Sequence, residues 1–215
     1  MLTEPQIVFD QLEKQKVVPV VRSSSTELAE KMVNHLITAG FKAIEITLTI
    51  PHAIGLIKKF SNVDDLIIGA GTVLDVETAV SCLEAGVSFI VSPCKNKEIS
   101  NACEGRALTI LGGLTPSEIQ ISFQNGSDVV KVFPADSMGG PKYIKSIKAV
   151  FPQIPIVPTG GVTIQNMADY LDAGASFVGI GNELANEELL KKNGNQLFID
   201  HAREYLNKTN MIMEG

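Results

Sequence analysis

No stretch of this sequence approaches the ~20 consecutive apolar residues of a membrane-spanning helix, so no membrane partner is expected. Basic residues are the minority: 18 Lys and Arg stand against 24 Asp and Glu, a net charge of -6. Phosphate backbones are held by clustered cations, so this balance argues against nucleic acid as a partner. A small anionic ligand needs only a few cations at one site and stays open. Cysteine is scarce, and Cys82, Cys94 and Cys103 form no CxxC pair. An odd set without that spacing reads as free thiols in a reducing compartment. The opening MLTEPQIVFDQLEKQ carries acids and lacks the apolar core of a secretory leader, and a cytoplasmic location is expected. His35, His52 and His201 are scattered and read as surface or helix residues. No cluster has metal-ligand spacing, so neither a metal nor another cofactor is expected.

What is present is regular. The chain has 215 residues, 45% of them hydrophobic, which suits one domain over 1–215 with an inner sheet and an outer ring of helices. A helix is expected over residues 3–15, before the first strand. Short apolar strands are then expected near 17–21, 43–48, 66–70, 88–92, 107–111, 128–133, 154–158 and 176–180. Helical patterns separate them, as at 26–39 and 75–85, and Gly40, Gly86 and Gly174 sit where left-handed helix ends need glycine. Such alternation implies right-handed βαβ units and a parallel sheet. Eight repeats point to an α/β fold of the closed (β/α)8 kind, a TIM barrel with an extra N-terminal helix. An open doubly wound sheet is the runner-up, but its GxGxxG turn is missing, the first strand being followed by RSSSTE.

Barrel enzymes work at the C-terminal ends of their strands. There the sixth strand reads DVVKVFP, and alternation puts Val129, Lys131 and Phe133 on one face with Val130 and Val132 on the other. If the valine pair faces the helices, Lys131 points into the barrel, where burial disfavours an ammonium and leaves a nucleophilic amine. The alternative is a lysine reaching past the strand end to water. In the second strand Ile44, Ile46, Leu48 and Ile50 make one apolar face, so Ala43, Glu45, Thr47 and Thr49 face the interior. A carboxylate there is either half of a structural ion pair or a proton shuttle. The last two strand ends, PTGGVTIQN and GIGNEL, resemble a phosphate cradle, since glycines let backbone N–H groups approach an anion; ordinary tight turns would look similar. Thr72, in GAGTV, is a candidate hydroxyl donor to a substrate carboxylate.

EITLT, IGAGTV, FIVSP, KVFPA and PTGGV occur in this order between residues 45 and 162, the most specific pieces of a similarity that runs from VVPVVR to the C-terminal helix. In these the chain resembles the 2-keto-3-deoxy-6-phosphogluconate (KDPG) aldolases, many of which also cleave 4-hydroxy-2-ketoglutarate (KHG). The resemblance implies a Schiff base on Lys131 and a general acid/base in Glu45. It implies keto-acid contacts from Thr72 and Thr159, walls from Pro93 and Phe133, and phosphate binding by Gly160, Gly161, Gly181 and Asn182. It also implies a small-molecule 2-keto acid as substrate, pyruvate as product and a homotrimer. Three positions depart: Thr49 stands where many members place a carboxylate-binding Arg, Cys94 replaces a glycine, and Asn182 replaces a common serine. Arg22, at the end of the first strand, is the expected substitute for the missing arginine, and the related phosphogalactonate aldolases share that arrangement. A phosphosugar isomerase or synthase without an imine, and a silent phosphate-ligand binder, are the rival classes.

Overall fold

The structure, a computed structural model, describes residues 4–214. Eight strands form one sheet: β1 (Val17–Val21), β2 (Ala43–Thr47), β3 (Ile67–Gly71), β4 (Phe89–Val91), β5 (Leu108–Gly112), β6 (Val129–Val132), β7 (Ile156–Pro158) and β8 (Val178–Ile180). Every ladder is parallel and joins sequence neighbours, except that β1 also pairs with β8. A bridge between Thr159 and Gly179 links the last two strand ends, so the sheet is a nearly closed barrel. It is the expected (β/α)8 architecture, with helix α1 (Pro5–Gln15) ahead of the first strand. Residue 3 of the expected helix lies outside the described residues.

Local chemistry accounts for the elements. In α2 (Thr26–Ala39) the Ser25 hydroxyl accepts from Leu28 N–H, the buried face recurs as Ala29, Met32, Val33 and Leu36, and Gly40 ends the helix at φ 114°. That spacing follows the 3.6-residue turn. In α4 (Val76–Glu84) the Asp75 carboxylate caps Thr78 N–H at 2.7 Å, and α6 (Pro116–Gln124) opens on a Thr115/Glu118 capping box with Pro116 inside it. Between these run α3 (Ala53–Ser61) and α5 (Lys97–Cys103), and later α7 (Pro141–Val150), α8 (Met167–Asp172), α9 (Glu187–Asn193) and α10 (Asn195–Glu214).

Two apolar layers result. The outer one, between helices and sheet, holds Ile44, Ile46, Val130 and Val132. The inner one fills the barrel with Val18, Ala43, Ile67, Phe89, Leu108, Ile110, Val129, Val157 and Phe177. Val8 and Leu12 of α1, one turn apart, are fully buried against this inner layer, with Phe9 edge-on to Phe177 at 6.5 Å. The barrel therefore has a plugged floor and an open mouth. Cys82 and Cys103 are buried and Cys94 is exposed, all three as free thiols. Burial pushes Cys82 up to about 12 and Cys103 up to about 11, which keeps both inert.

Candidate active site

The strands deliver their polar ends to one cavity of about 550 Å³ at the mouth. Lys131 sits in β6 between Gly112 and Val157 of the flanking strands, and Glu45 sits in β2 between Val20 and Gly69. Because residues of one face alternate, both side chains point inward, toward each other across the barrel. Lys131 Nζ and Glu45 Oε1 are 4.0 Å apart, with side chains 9% and 6% exposed.

This spacing decides between a structural ion pair and a working one. A buried pair that stabilises a fold needs close contact and further hydrogen bonds to offset desolvation. Here the contact is long, and Glu45 Oε1 is buried with no hydrogen-bond partner among the described residues. Leaving such an acceptor unsatisfied costs about 1–3 kcal/mol, so the pair is poorly explained by stability. It suits two groups held ready for a guest.

The surroundings are built to admit them. An ideal Cβ on Gly71 would lie 2.0 Å from Glu45 Oε1, so only glycine at that strand end leaves space for the carboxylate. Thr72 follows at φ 61°. For a β-branched residue this is a real outlier, of the kind concentrated at ligand clamps. The Phe133 ring, 44% exposed, lies 5.6 Å from Lys131 Nζ and with Pro93 walls the cavity. Thr159 is buried beside the lysine strand, its N–H bonded to Val132 O at 3.0 Å.

At the far end, Gly160 and Gly161 take φ of 90° and 71°, values that side chains resist. The N–H groups of Gly161 and Asn182 have no acceptor among the described residues. Arg22 is exposed at the rim, lines the cavity, and joins none of the ion pairs among the described residues. A larger groove of about 800 Å³ beside α3 and α4 shares Thr72 but has no lysine or arginine in its lining.

Of the residues singled out in the sequence, the cavity brings together Arg22, Glu45, Thr72, Pro93, Lys131, Phe133, Thr159, Gly160, Gly161, Gly181 and Asn182. Thr49 is a correction: it does not line the cavity. Strand β2 ends at Thr47, the chain turns, and inward alternation stops there. Thr49 is exposed, and its hydroxyl pairs with that of Thr47 at 2.8 Å. The sequence reading missed Val20, Val162, Thr163, Gly179 and Glu183. Glu183 had a visible signal, as a charge inside GIGNEL; Gly179 had none, since its role is to leave room for the Thr159 hydroxyl.

A family model for KDPG and KHG aldolase matches residues 8–199. The 2-dehydro-3-deoxy-phosphogluconate aldolase of Treponema pallidum (strain Nichols) is 35% identical over 168 residues, covering 76% of this chain and 79% of that one. The 2-dehydro-3-deoxy-6-phosphogalactonate aldolase of Escherichia coli (strain K12) is 34% identical, covering 80% of this chain and 85% of that one. A solved KDPG aldolase from Legionella pneumophila, with pyruvate captured as a covalent carbinolamine intermediate, superposes with a TM-score of 0.81 at 30% identity over 94% of this chain and 97% of that one. With a barrel of the same shape, and a family match spanning both buried charges, the chain belongs to the KDPG and KHG aldolase family.

Proposed function

We propose that the protein cleaves KDPG to pyruvate and glyceraldehyde 3-phosphate through a Schiff base on Lys131, and KHG to pyruvate and glyoxylate by the same route. The observation that carries this is the buried Lys131–Glu45 pair at 4.0 Å, with an orphaned carboxylate oxygen, at the base of the cavity. The amine of Lys131 attacks the C2 ketone, and loss of water from the carbinolamine gives an iminium. Glu45, directly or through a water, takes the C4 hydroxyl proton as the C3–C4 bond breaks. The bonding pair flows toward the iminium nitrogen, leaving an enamine while the aldehyde departs. Protonation at C3 and hydrolysis of the imine release pyruvate and regenerate the amine. The carbinolamine trapped in the Legionella relative supports this route.

Recognition follows from the same cavity. Thr72 and Thr159 contact the keto-acid end, Arg22 supplies the charge for its carboxylate, and Pro93 and Phe133 shield the reacting carbons. Gly160, Gly161, Gly181 and Asn182 hold the phosphate through N–H groups and the Asn amide. No step requires a metal or other cofactor, and the working form in this reading is a cytoplasmic homotrimer. One observation favours a second substrate, 2-keto-3-deoxy-6-phosphogalactonate: Arg22 lines the cavity while the position of Thr49, in the turn after β2, does not. Pyruvate release from a panel of 2-keto-4-hydroxy acids, with and without phosphate and in both C4 configurations, tests the proposal. Release from one or more members is expected. A full panel without pyruvate would point to a non-imine isomerase or synthase.

A further inference from the structure

Helix α10 contributes nothing to the cavity lining, yet two of its side chains converge on one atom of the site. His201 Nε2 lies 2.7 Å, and the Tyr205 hydroxyl 3.1 Å, from the backbone carbonyl oxygen of Glu183. Glu183 follows Gly181 and Asn182 in the loop after β8 and lines the cavity with them. The two rings brace each other edge to face, with centroids 5.4 Å apart and planes at 79°. Tyr205 is 1% exposed, and burial pushes its hydroxyl up to about 12, so it remains a donor. A buried hydroxyl is costly to leave unpaired, and the Glu183 carbonyl is its partner.

The loop is also tied from within. Gly181 O accepts the N–H groups of Leu184 at 2.9 Å and Ala185 at 2.8 Å. In a trans peptide the N–H points opposite to the C=O, so locking Gly181 O inside the turn aims the Asn182 N–H the other way. That N–H has no acceptor among the described residues. The clamp from α10 thus fixes the closing carbonyl of a short turn whose opening amide is unspent.

We propose that His201 and Tyr205 are positioning residues for anion binding: by holding the Glu183 carbonyl they keep the Gly181–Asn182 turn in the shape that offers its N–H to the substrate's phosphate. This rests on reading the cavity as an aldolase site whose far end takes phosphate. Neither side chain touches substrate. Their effect is confined to the phosphate end, because the Lys131–Glu45 pair stands on other strands. The C-terminal helix thereby takes part in choosing between phosphorylated and unphosphorylated keto acids.

The test titrates inorganic phosphate into the full chain and follows the amide shifts of Gly181 and Asn182. The parent is expected to bind there. Tyr205→Phe combined with His201→Phe should weaken phosphate binding about tenfold, the worth of one to two hydrogen bonds. His201→Gln, which keeps a donor, should stay within about threefold of the parent. In turnover, the double variant should raise KM for KDPG by the same factor and leave kcat, and KM for KHG, unchanged. Single Tyr205→Phe, a loss of one oxygen, serves if the double variant melts early. Parent protein without phosphate shifts at Gly181 and Asn182, or unchanged affinity in folded variants, overturns the proposal. So does an equal rise in KM for both substrates. Failure of the aldolase reading is recognised separately, by the absence of a reducible pyruvate adduct on the parent.

Discussion

Gly71→Ala is a small change with a large expected consequence. The added methyl would stand 2.0 Å from Glu45 Oε1, 2.7 Å from Cδ and 2.8 Å from Cγ. Ordinary contact begins near 3.4 Å, so the carboxylate must retreat by more than about 1 Å. The strand resists sharing that movement, since Gly71 pairs with Thr47 and its carbonyl accepts Leu48 N–H at 2.9 Å. The shift therefore falls on the Glu45 side chain, which then leaves its place 4.0 Å from Lys131 Nζ. A misplacement of about 1 Å in a reacting group costs around a hundredfold in rate. Steady-state pyruvate release should show kcat lowered by about that factor, with the Lys131 adduct still trapped on long incubation with borohydride, because the substitution leaves the amine itself in place. Turnover within about threefold of the parent would refute the claim that Gly71 exists to seat Glu45.

Other outcomes follow from the same geometry. Glu45→Gln keeps the shape and removes the base, and turnover should fall by roughly two to four orders of magnitude without unfolding; retained activity would return Glu45 to a structural role. Chelation with EDTA should leave activity unchanged, and loss on chelation would revive a metal mechanism. Arg22→Val should raise KM for the keto acid by an effect on the order of 1.5–3 kcal/mol, the worth of hydrogen bonds to a charged group. Because Thr49 lies off the cavity, restoring function with Thr49→Arg requires the longer side chain to reach back from the turn; partial recovery in the double variant would show that it does. Glu187 is held below its ordinary 4.5 by hydrogen bonding to Lys191 first and to Ser23 next, with the Lys191 charge and the Ser24 backbone adding less, against opposing desolvation. Its folded value is depressed, so its contribution exists above the unfolded value and is lost as pH falls through the folded one. The Tm gap between the parent and Glu187→Gln should be present at pH 7 and shrink below about 4.5; a gap independent of pH would contradict the assignment.

The barrel and its two buried charges were legible because both rest on alternation. Ile44 and Ile46 on one face of β2, with Glu45 between them, force the carboxylate inward once the isoleucines meet the helices, and they do. Val130 and Val132 do the same for Lys131. Alternation failed at Thr49 because it carries no information about where a strand stops; β2 ends two residues earlier, at Thr47. Close approach left no mark either. Gly71 reads as one more turn glycine until the Glu45 carboxylate is seen lying against it. His201 reads as a scattered helix residue, since its partner is a backbone carbonyl 18 residues away that has no side-chain signature.

The central claim is that Lys131 is the nucleophile, and the direct measurement is borohydride reduction in the presence of pyruvate, followed by digestion and mass spectrometry. Reduction converts the iminium to a stable secondary amine, so the account predicts one pyruvyl-derived adduct, on Lys131, and none without pyruvate. An adduct on a different lysine, or none from protein that releases pyruvate in the same buffer, would contradict it.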